Sequence, residues 1–241
     1  MPRFFTDNVD SDIIYINGDD ARHITRSLRM REGERLTVCD GAGLECECTI
    51  ARFEGESVVL EVTQRRQSEN EASCRVTLYQ GCPKGDKLEL IVEKAVELGA
   101  ARIVPVVTGR SVSRPDAKAA AKKSERLSRH ALEAAKQCGR AVIPTVGDFI
   151  TFSDLLRLIP QHETCVFFYE EGGIPLSEIV EKTAKDVAII IGPEGGFEPS
   201  EAQEATDAGA VAATLGKRIL RTETAAVAGV ASVMLLTGGL D

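Results

Sequence analysis

Two glycine-containing segments hold the residues of this chain that are best suited to bind a ligand. The first segment, Ile189 to Phe197, reads IIIGPEGGF, and the second, Leu215 to Ala225, reads LGKRILRTETA. In each segment an apolar strand pattern ends in a bend, and a helical pattern follows. Such bends expose backbone N–H groups at the carboxyl edge of a sheet, and glycines let the backbone approach a ligand closely. The two segments therefore predict a site that binds a small molecule through the main chain.

The same pattern excludes two common nucleotide cofactors. The segment Gly192 to Gly196 lacks the Lys-Ser/Thr ending of a phosphate-binding P-loop, and no G-x-G-x-x-G follows any candidate strand. ATP and NAD are therefore not expected. An ordinary strand-to-helix turn is the alternative interpretation, because Ser200 and Gln203 have the spacing of a capping box that would end this loop in any case.

Taken together, the two segments resemble the cofactor loops of the SPOUT-class RNA methyltransferases. Within that class they are similar to the family that methylates N3 of a uracil in 16S ribosomal RNA. The likeness extends over nearly the whole chain and includes R-F-F at Arg3, H-x-x-x-S-L-R at His23, and E-A-x-x-Q-x-x-R from Glu133 to Arg140. Departures from the family pattern at Gly109 and His130 lie outside the two cofactor segments.

The resemblance implies a fold, a cofactor and partners. The expected fold class is α/β, a SPOUT-type trefoil-knotted α/β domain with a small N-terminal PUA-like β-barrel. The expected partners are 16S ribosomal RNA or the assembled small ribosomal subunit and a second copy in a homodimer, with S-adenosyl-L-methionine as cofactor. The residues expected to bind the cofactor are Phe168, Tyr169, Glu170, Gly192, Pro193, Glu194, Gly195, Gly196, Leu215, Gly216, Ile219, Leu220, Thr224 and Ala225.

The resemblance also implies the chemistry of methyl transfer. The sulfonium of the cofactor is already a reactive electrophile, so the protein must chiefly orient its methyl group. Uracil N3 becomes a good nucleophile only after losing its proton, which requires a base or a cationic donor that stabilises the uracil anion. Arg221 is the expected donor and Glu223 the expected base. Glu223 has a structural alternative, because a carboxylate is favourable in the first turn of a helix.

The distribution of charge bears on an RNA substrate. The chain has a net charge of −8, but Arg102 to Arg140 contains ten basic and three acidic residues, a local charge of +7 that leaves −15 for the remainder. This segregation predicts one positive face for phosphate contacts, with a merely solvated face as the alternative. His23 is expected to be structural rather than catalytic. The residues expected to contact RNA are Arg3, Arg22, Arg26, Arg29, Lys122, Arg129 and Arg140.

Cysteine and histidine usage points to a reducing compartment and no metal. Seven cysteines are scattered without a C-x-x-C pair, and the three histidines are far apart in sequence. The N-terminus has no apolar signal core, and the apolar stretch Ala225 to Leu236 is shorter than the ~20 residues of a bilayer span. We therefore expect a soluble, cytoplasmic protein without a metal site or a membrane anchor.

Hydrophobic periodicity divides the chain into two expected domains. Residues 1–70 show short alternating strands and one helix, Ala21 to Arg29, which predicts the small barrel that would bind RNA. The polar run Gln64 to Ser73 predicts the linker. Residues 74–241 alternate strand and helix, as in a parallel sheet covered on both faces, and form the expected methyltransferase domain. The predicted strands there are Arg75–Gln80, Ile103–Val107, Thr164–Phe168, Val187–Ile191 and Ala210–Leu215, and the predicted helices are Asp86–Leu98, Lys118–Gln137, Leu176–Thr183, Ser200–Asp207 and Thr222–Leu236.

Two other functions stay open at this point. One is a SPOUT methyltransferase with a different RNA target, such as a 2′-O-ribose or a tRNA. The other is a non-catalytic RNA-binding or ribosome assembly factor that keeps the fold as a scaffold. Binding of S-adenosylhomocysteine separates the second alternative from both enzymes.

Overall fold

A computed structural model describes residues 1–240, which form two compact units. The first unit comprises Met1–Glu71 together with Ala135–Ile143, and the second comprises Ala72–Ala134 and the chain from Pro144 onward. Each unit has its own buried apolar core. Within the described residues, no helix is both long and apolar enough to cross a membrane.

The first unit is built on a five-stranded sheet in the order β1-β3-β4-β5-β2. β1 and β3 are parallel, and the other neighbouring strands are antiparallel. A short helix, α1 (Gly18–Arg22), and one π-helical turn (His23–Ser27) follow β2. The strands are β1 (Arg3–Phe5), β2 (Ile13–Ile16), β3 (Arg35–Cys39), β4 (Leu44–Glu54) and β5 (Ser57–Gln67).

The end of β5 differs from the sequence-based expectation. The side chains of residues 64–67 are polar and show no apolar period, which predicts a linker. These residues are indeed exposed. They nevertheless pair with Leu44 to Glu47 of β4. Backbone hydrogen bonds to a neighbouring strand do not require a buried face, so the strand continues beyond its apolar part.

The second unit contains an eight-stranded, fully parallel sheet in the order β11-β13-β10-β12-β6-β7-β8, with β9 also paired to β7. The central strand β12 is buried along nearly its whole length, which explains its unbroken apolar sequence. The strands are β6 (Arg75–Gly81), β7 (Arg102–Val107), β8 (Thr145–Val146), β9 (Ile150–Thr151), β10 (Thr164–Phe168), β11 (Ile174–Pro175), β12 (Asp186–Ile191) and β13 (Val211–Thr214).

Five further helices accompany this sheet, and α6 packs against α2, β6 and β12. The helix α3 continues from the second unit into the segment Ala135–Ile143 of the first. The helices are α2 (Lys87–Glu97), α3 (Ala117–Cys138), α4 (Phe152–Leu158), α5 (Pro199–Asp207) and α6 (Thr222–Leu236).

Two predictions about helices in this unit were wrong. The expected helix Leu176–Thr183 is only a 3₁₀ turn over Leu176–Glu178, and separate turns bury Val180 and Ala184 without a continuous helix. Conversely, α4 was not expected, although Thr151 and Asp154 form a complete capping box at its start. Its spacing of Thr and Asp is the sequence feature that could have revealed it.

The sequence also predicts caps for the helix Asp86–Leu98, a capping box of Asp86 with Glu89 and a C′ glycine at Gly99, and the predicted capping boxes were wrong. Asp86 makes no side-chain cap bond at the start of α2, and the carboxylates of Asp86 and Glu89 both lie near the guanidinium of Arg126 on α3. The box at the start of α5 is formed by Glu198 and Glu201 rather than by Ser200 and Gln203. The predicted glycine at the end of α2 is confirmed, since Gly99 has a φ of +98°.

Candidate functional site

A cavity of about 550 Å³ opens at the carboxyl edge of the parallel sheet. Three chain segments form most of its wall, because β10, β12 and β13 are neighbours and end at the same edge, and the starts of α2 and α6 complete it. The segments follow these three strands. The lining residues are Lys87, Phe168, Tyr169, Glu170, Ile191, Gly192, Pro193, Glu194, Gly195, Gly196, Thr214, Leu215, Gly216, Lys217, Arg218, Ile219, Leu220, Arg221, Thr222 and Ala225.

Most of the residues predicted to bind a cofactor thus lie around one cavity, with Thr224 as the exception. Thr224 belongs to the first turn of α6 and is exposed. The wall also contains residues that were not among the expected cofactor contacts. Lys87 and Thr214 lie outside the two motif segments, whereas the others lie within them: Ile191, Lys217, Arg218 and Thr222.

The loop after β12 contains glycines that have close neighbours. Gly196 has a φ of +66°, which favours glycine, and a Cβ built there would overlap the carboxylate of Glu170 unless that exposed side chain moved. Its N–H donates to the carbonyl of Pro193 at 3.0 Å, which closes a tight turn. A Cβ on Gly195 would lie 3.2 Å from Cβ of Arg110. The backbone of this loop therefore forms the cavity surface directly.

The start of α6 is tied to this loop by a buried hydrogen-bond network. The hydroxyl of Thr222 donates to the carbonyl of Gly192 at 2.6 Å and accepts from Nε2 of Gln80 at 2.9 Å. Gln80 is fully buried at the end of β6. Because its amide joins the two segments, Gln80 fixes the distance between the loop after β12 and the helix α6.

A second set of hydrogen bonds also supports this loop. Nη1 of Arg110 donates to the carbonyl of Gly195 at 2.9 Å. The buried carboxylate of Glu201 accepts from the N–H of Gly109 at 2.7 Å and from the N–H of Glu198 at 2.9 Å. The residues after β7 are thereby connected to the middle of this loop at Gly195 and to the first turn of α5 at Glu201.

The segment after β13 has a more open structure. The N–H of Gly216 donates to the hydroxyl of Thr214 at 3.1 Å. The N–H groups of Leu215 and Leu220 donate to no group within residues 1–240, so they are available to a ligand. Ile219 is 87% exposed at the rim, which places a large apolar side chain where a ligand can cover it.

The two residues predicted to act in catalysis have different positions. Arg221 lines the cavity, is exposed, and its guanidinium makes no hydrogen bond within the described chain. Glu223 is not among the lining residues. Its Oε2 atom is buried without a hydrogen-bond partner in residues 1–240, although the ammonium of Lys87 lies 3.3 Å away. That contact is an ion pair.

The residues predicted to contact RNA fall into two groups. In the first unit, Arg22, Arg26 and Arg29 are exposed on α1 and the turns that follow, and Arg22 pairs with Asp19. In the second unit, Lys122 and Arg129 are exposed on α3. His23 is exposed and lies edge-on to the ring of Phe4.

Arg3 and Arg140 have structural partners instead. Arg3 pairs with the buried Glu45 at 2.8 Å, and only 10% of its side chain is exposed. Burial acts to raise the pKa of Glu45, but hydrogen bonds from Arg3 and neighbouring groups hold that pKa below its usual value. Arg140 is buried and pairs with Glu71 at 2.8 Å. These ion pairs explain the positions of Arg3 and Arg140. The residues that remain candidates for RNA contacts are the exposed ones, Arg22, Arg26, Arg29, Lys122 and Arg129.

The cysteines and metal-binding side chains do not form a second site in the described chain. All seven cysteines are free, and burial raises the pKa of Cys165 and Cys48 to about 12. No group of three or more His, Cys, Asp or Glu within residues 1–240 is arranged to hold a metal ion.

Comparison with known proteins agrees with this architecture. Residues 70–234 match the family described as RNA methyltransferase domain, and residues 16–63 match the RNA methyltransferase PUA domain. Ribosomal RNA small subunit methyltransferase E from Bacillus subtilis is 37% identical over 217 residues, which are 87% of this chain and 85% of the relative. The protein of the same name from Mycobacterium bovis is 31% identical over 95% of this chain and 88% of its own.

Solved structures show the same likeness. A ribosomal RNA small subunit methyltransferase E from Neisseria gonorrhoeae, bound to S-adenosyl methionine, has a TM-score of 0.90 and 32% identity over 98% of both chains. A methyltransferase from Legionella pneumophila with bound SAM has a TM-score of 0.88 and 27% identity over 97% of this chain and 96% of the other. The chain therefore belongs to the ribosomal RNA small subunit methyltransferase E family, with a PUA domain and an RNA methyltransferase domain.

Proposed function

We propose that this protein transfers a methyl group from S-adenosylmethionine to N3 of one uridine in 16S ribosomal RNA. The observation that carries the proposal is the cavity, whose wall consists of the loops after β10, β12 and β13. Two relatives of the same family name exceed 30% identity over most of their length, and a solved relative holds S-adenosyl methionine.

The cavity suits S-adenosylmethionine in size and in chemistry. A volume of about 550 Å³ lies in the range of pockets that enclose small-molecule ligands. The uncommitted N–H groups of Leu215 and Leu220 can bond the adenine or ribose, and Ile219 can cover an apolar face. Because Gly195 and Gly196 carry no Cβ, the ligand can meet the backbone of this loop directly.

The protein's own contribution to the reaction is orientation and charge stabilisation. When bound, the cofactor supplies an electrophilic methyl group. Arg221, which extends into the cavity wall without an internal partner, would donate hydrogen bonds to the uracil oxygens as negative charge develops after N3 loses its proton. We assign proton acceptance to Glu223, whose carboxylate would have to leave its ion pair with Lys87 to reach the substrate.

We also propose the architecture of the SPOUT class for this chain. Residues 74–241 would form the knotted catalytic domain, and residues 1–70 the PUA-like domain that helps to bind RNA. The enzyme would act in the cytoplasm as a homodimer. Exposed Leu90 on α2 and Leu235 on α6 support a dimer, because these two helices pack together and offer apolar surface to a second copy.

Methylation of isolated ribosomal subunits tests the proposal. Small subunits that lack the modification should accept a labelled methyl group, and mass spectrometry of the digested RNA should place it on N3 of one uridine. A label on a 2′-oxygen or on tRNA would assign another target. Failure to bind S-adenosylhomocysteine in calorimetry would instead favour a non-catalytic role.

The RNA face can be tested separately with charge reversals. The double variant Lys122→Glu with Arg129→Glu should weaken subunit binding and flatten its dependence on salt, because fewer counterions are released. Cofactor affinity should not change. The matched control reverses Lys94 and Lys182, two lysines of the second unit that lie outside α3. Equal loss in both double variants would place the RNA face elsewhere.

A further inference from the structure

Lys87 is a charged residue of the cavity wall that the sequence motifs did not indicate. It is the first residue of α2, and the rest of the wall is formed by loops that follow strands and by the start of α6. Its Nζ atom lies 2.9 Å from Oε1 of Glu194 and 3.3 Å from Oε2 of Glu223, and 33% of the side chain is exposed. The ammonium is therefore held at the cavity surface.

The two carboxylates leave part of this ammonium available. A lysine has three N–H donors, and Lys87 faces only two carboxylates, those of Glu194 and Glu223, so at least one donor is left. The hydrogen bond to Glu194 raises the pKa of Lys87. Lys87 therefore stays protonated at neutral pH, and its remaining donor can serve an anionic group of a ligand.

Glu194 presents the opposite charge beside this donor. It also lines the cavity, and it accepts from the backbone N–H of Lys84 at 3.2 Å as well as pairing with Lys87. Burial acts to raise the pKa of Glu194, but Lys87 and nearby backbone N–H groups hold that pKa below its usual value. An ionised carboxylate has about four lone-pair sites, so acceptor capacity is left for a ligand cation.

We propose that Lys87 and Glu194 bind the amino-acid end of the cofactor, Lys87 donating to its carboxylate and Glu194 accepting from its ammonium. An α-amino acid carries these two charges on one carbon. At Lys87 and Glu194 the cavity wall places a group of each opposite sign 2.9 Å apart. Charge-assisted hydrogen bonds of this kind are stronger than neutral ones. The inference rests on the proposed function, because it requires S-adenosylmethionine in this cavity.

Calorimetry with two ligands tests the inference. S-adenosylhomocysteine has the amino-acid group, whereas 5′-methylthioadenosine keeps the adenosine and the thioether without it. Lys87→Met should weaken binding of the first ligand by about tenfold or more, the loss expected for a charged hydrogen bond. Its affinity for the second should change less than about threefold on the same scale. Lys87→Arg should recover part of the loss because the charge is kept.

Lys94→Met is the matched control. Lys94 lies on the same helix between two carboxylates, Glu93 and Glu97, each at 2.8 Å, but it does not line the cavity. This variant should bind both ligands like the wild type, and the melting temperature of each variant should be measured alongside.

The outcomes separate the inference from the proposed function. If Lys87→Met loses affinity for both ligands equally, or for neither, the ion pair is structural and the inference is overturned. If it binds both normally but methylates poorly, Lys87 acts on the RNA substrate and the inference is again overturned. If the wild-type protein binds neither ligand, the proposed function itself fails, whatever the variants show.

Discussion

The loop after β12 and the segment after β13 face the same cavity, yet they are held in different ways. The first is tied by Thr222 and Gln80 on one side and by Arg110 on the other. The second has one short side-chain contact, between Thr214 and Gly216, and ends in the exposed Ile219. Segments with few internal contacts open at lower free-energy cost. The first wall therefore sets the shape of the site, and the second wall can adapt to what is bound.

Matched glycine-to-alanine substitutions, one in each wall, should show the largest difference in ligand affinity between the two walls. Gly196 and Gly216 both have positive φ, +66° and +97°, but only at Gly196 would a Cβ meet a neighbour, Glu170. Both alanine variants pay about 1–2 kcal/mol of backbone strain, and in Gly196→Ala the exposed carboxylate of Glu170, which also lines the cavity, must move away from the new methyl group. Affinity for S-adenosylhomocysteine should thus fall roughly tenfold or more at Gly196 and clearly less at Gly216. Equal losses would show that the walls do not differ.

Arg221 lies where the adaptable wall meets α6, and its removal should affect turnover rather than binding. Loss of one donor to a developing negative charge costs about 10²-fold in rate. Arg221→Ala should lower single-turnover methylation by that order, and Arg221→Lys should recover only part because the planar fork is lost. Affinity for S-adenosylhomocysteine serves as the control. If both variants methylate within about threefold of the wild type, well below that loss, Arg221 is structural.

Thr222 joins the two walls, so its hydroxyl should matter for stability. Thr222→Val keeps the shape of the side chain but leaves Nε2 of Gln80 and the carbonyl of Gly192 without this partner. The free energy of unfolding, measured in urea, should fall by about 1–3 kcal/mol. Thr224→Val is the control, since Thr224 is exposed in the same helical turn and should change the value by less than about 0.5 kcal/mol.

The smallest effect is expected at the rim of the adaptable wall. Ile219 is already 87% exposed, so Ile219→Ala should leave the melting temperature unchanged. Affinity for S-adenosylhomocysteine should fall about three- to tenfold, because the ligand then buries less apolar surface. A loss of stability in this variant would mean that the segment is packed against the protein and not adaptable.

Local patterns explain why these two segments could be located from the sequence. An unbroken apolar run predicts a parallel strand, and a glycine-rich bend after it predicts a ligand loop. The strand β10 and the helix α6 have the predicted bounds, Thr164–Phe168 and Thr222–Leu236. Each of these features depends on neighbours within a few residues.

The supports of the site depend on residues that are far apart in sequence, and the sequence did not indicate them. Gln80 and Thr222 are separated by 142 positions, and Arg110 and Gly195 by 85. The same holds for Lys87. The sequence at the start of an amphipathic helix does not indicate which loop lies beside that helix. The wrong capping box at Asp86 has a related cause, since the carboxylates of Asp86 and Glu89 both lie near Arg126 of α3.

The order of the elements along the chain determines when the site can form during synthesis. The chain is synthesised from its amino end, and domains fold as their residues emerge. β6 supplies Gln80 early, but its partner Thr222 begins α6, the last helix of the sheet domain. The cavity cannot close around a ligand until that helix has left the ribosome. A nascent chain that has not yet presented Thr222 and α6 therefore lacks one side of this site.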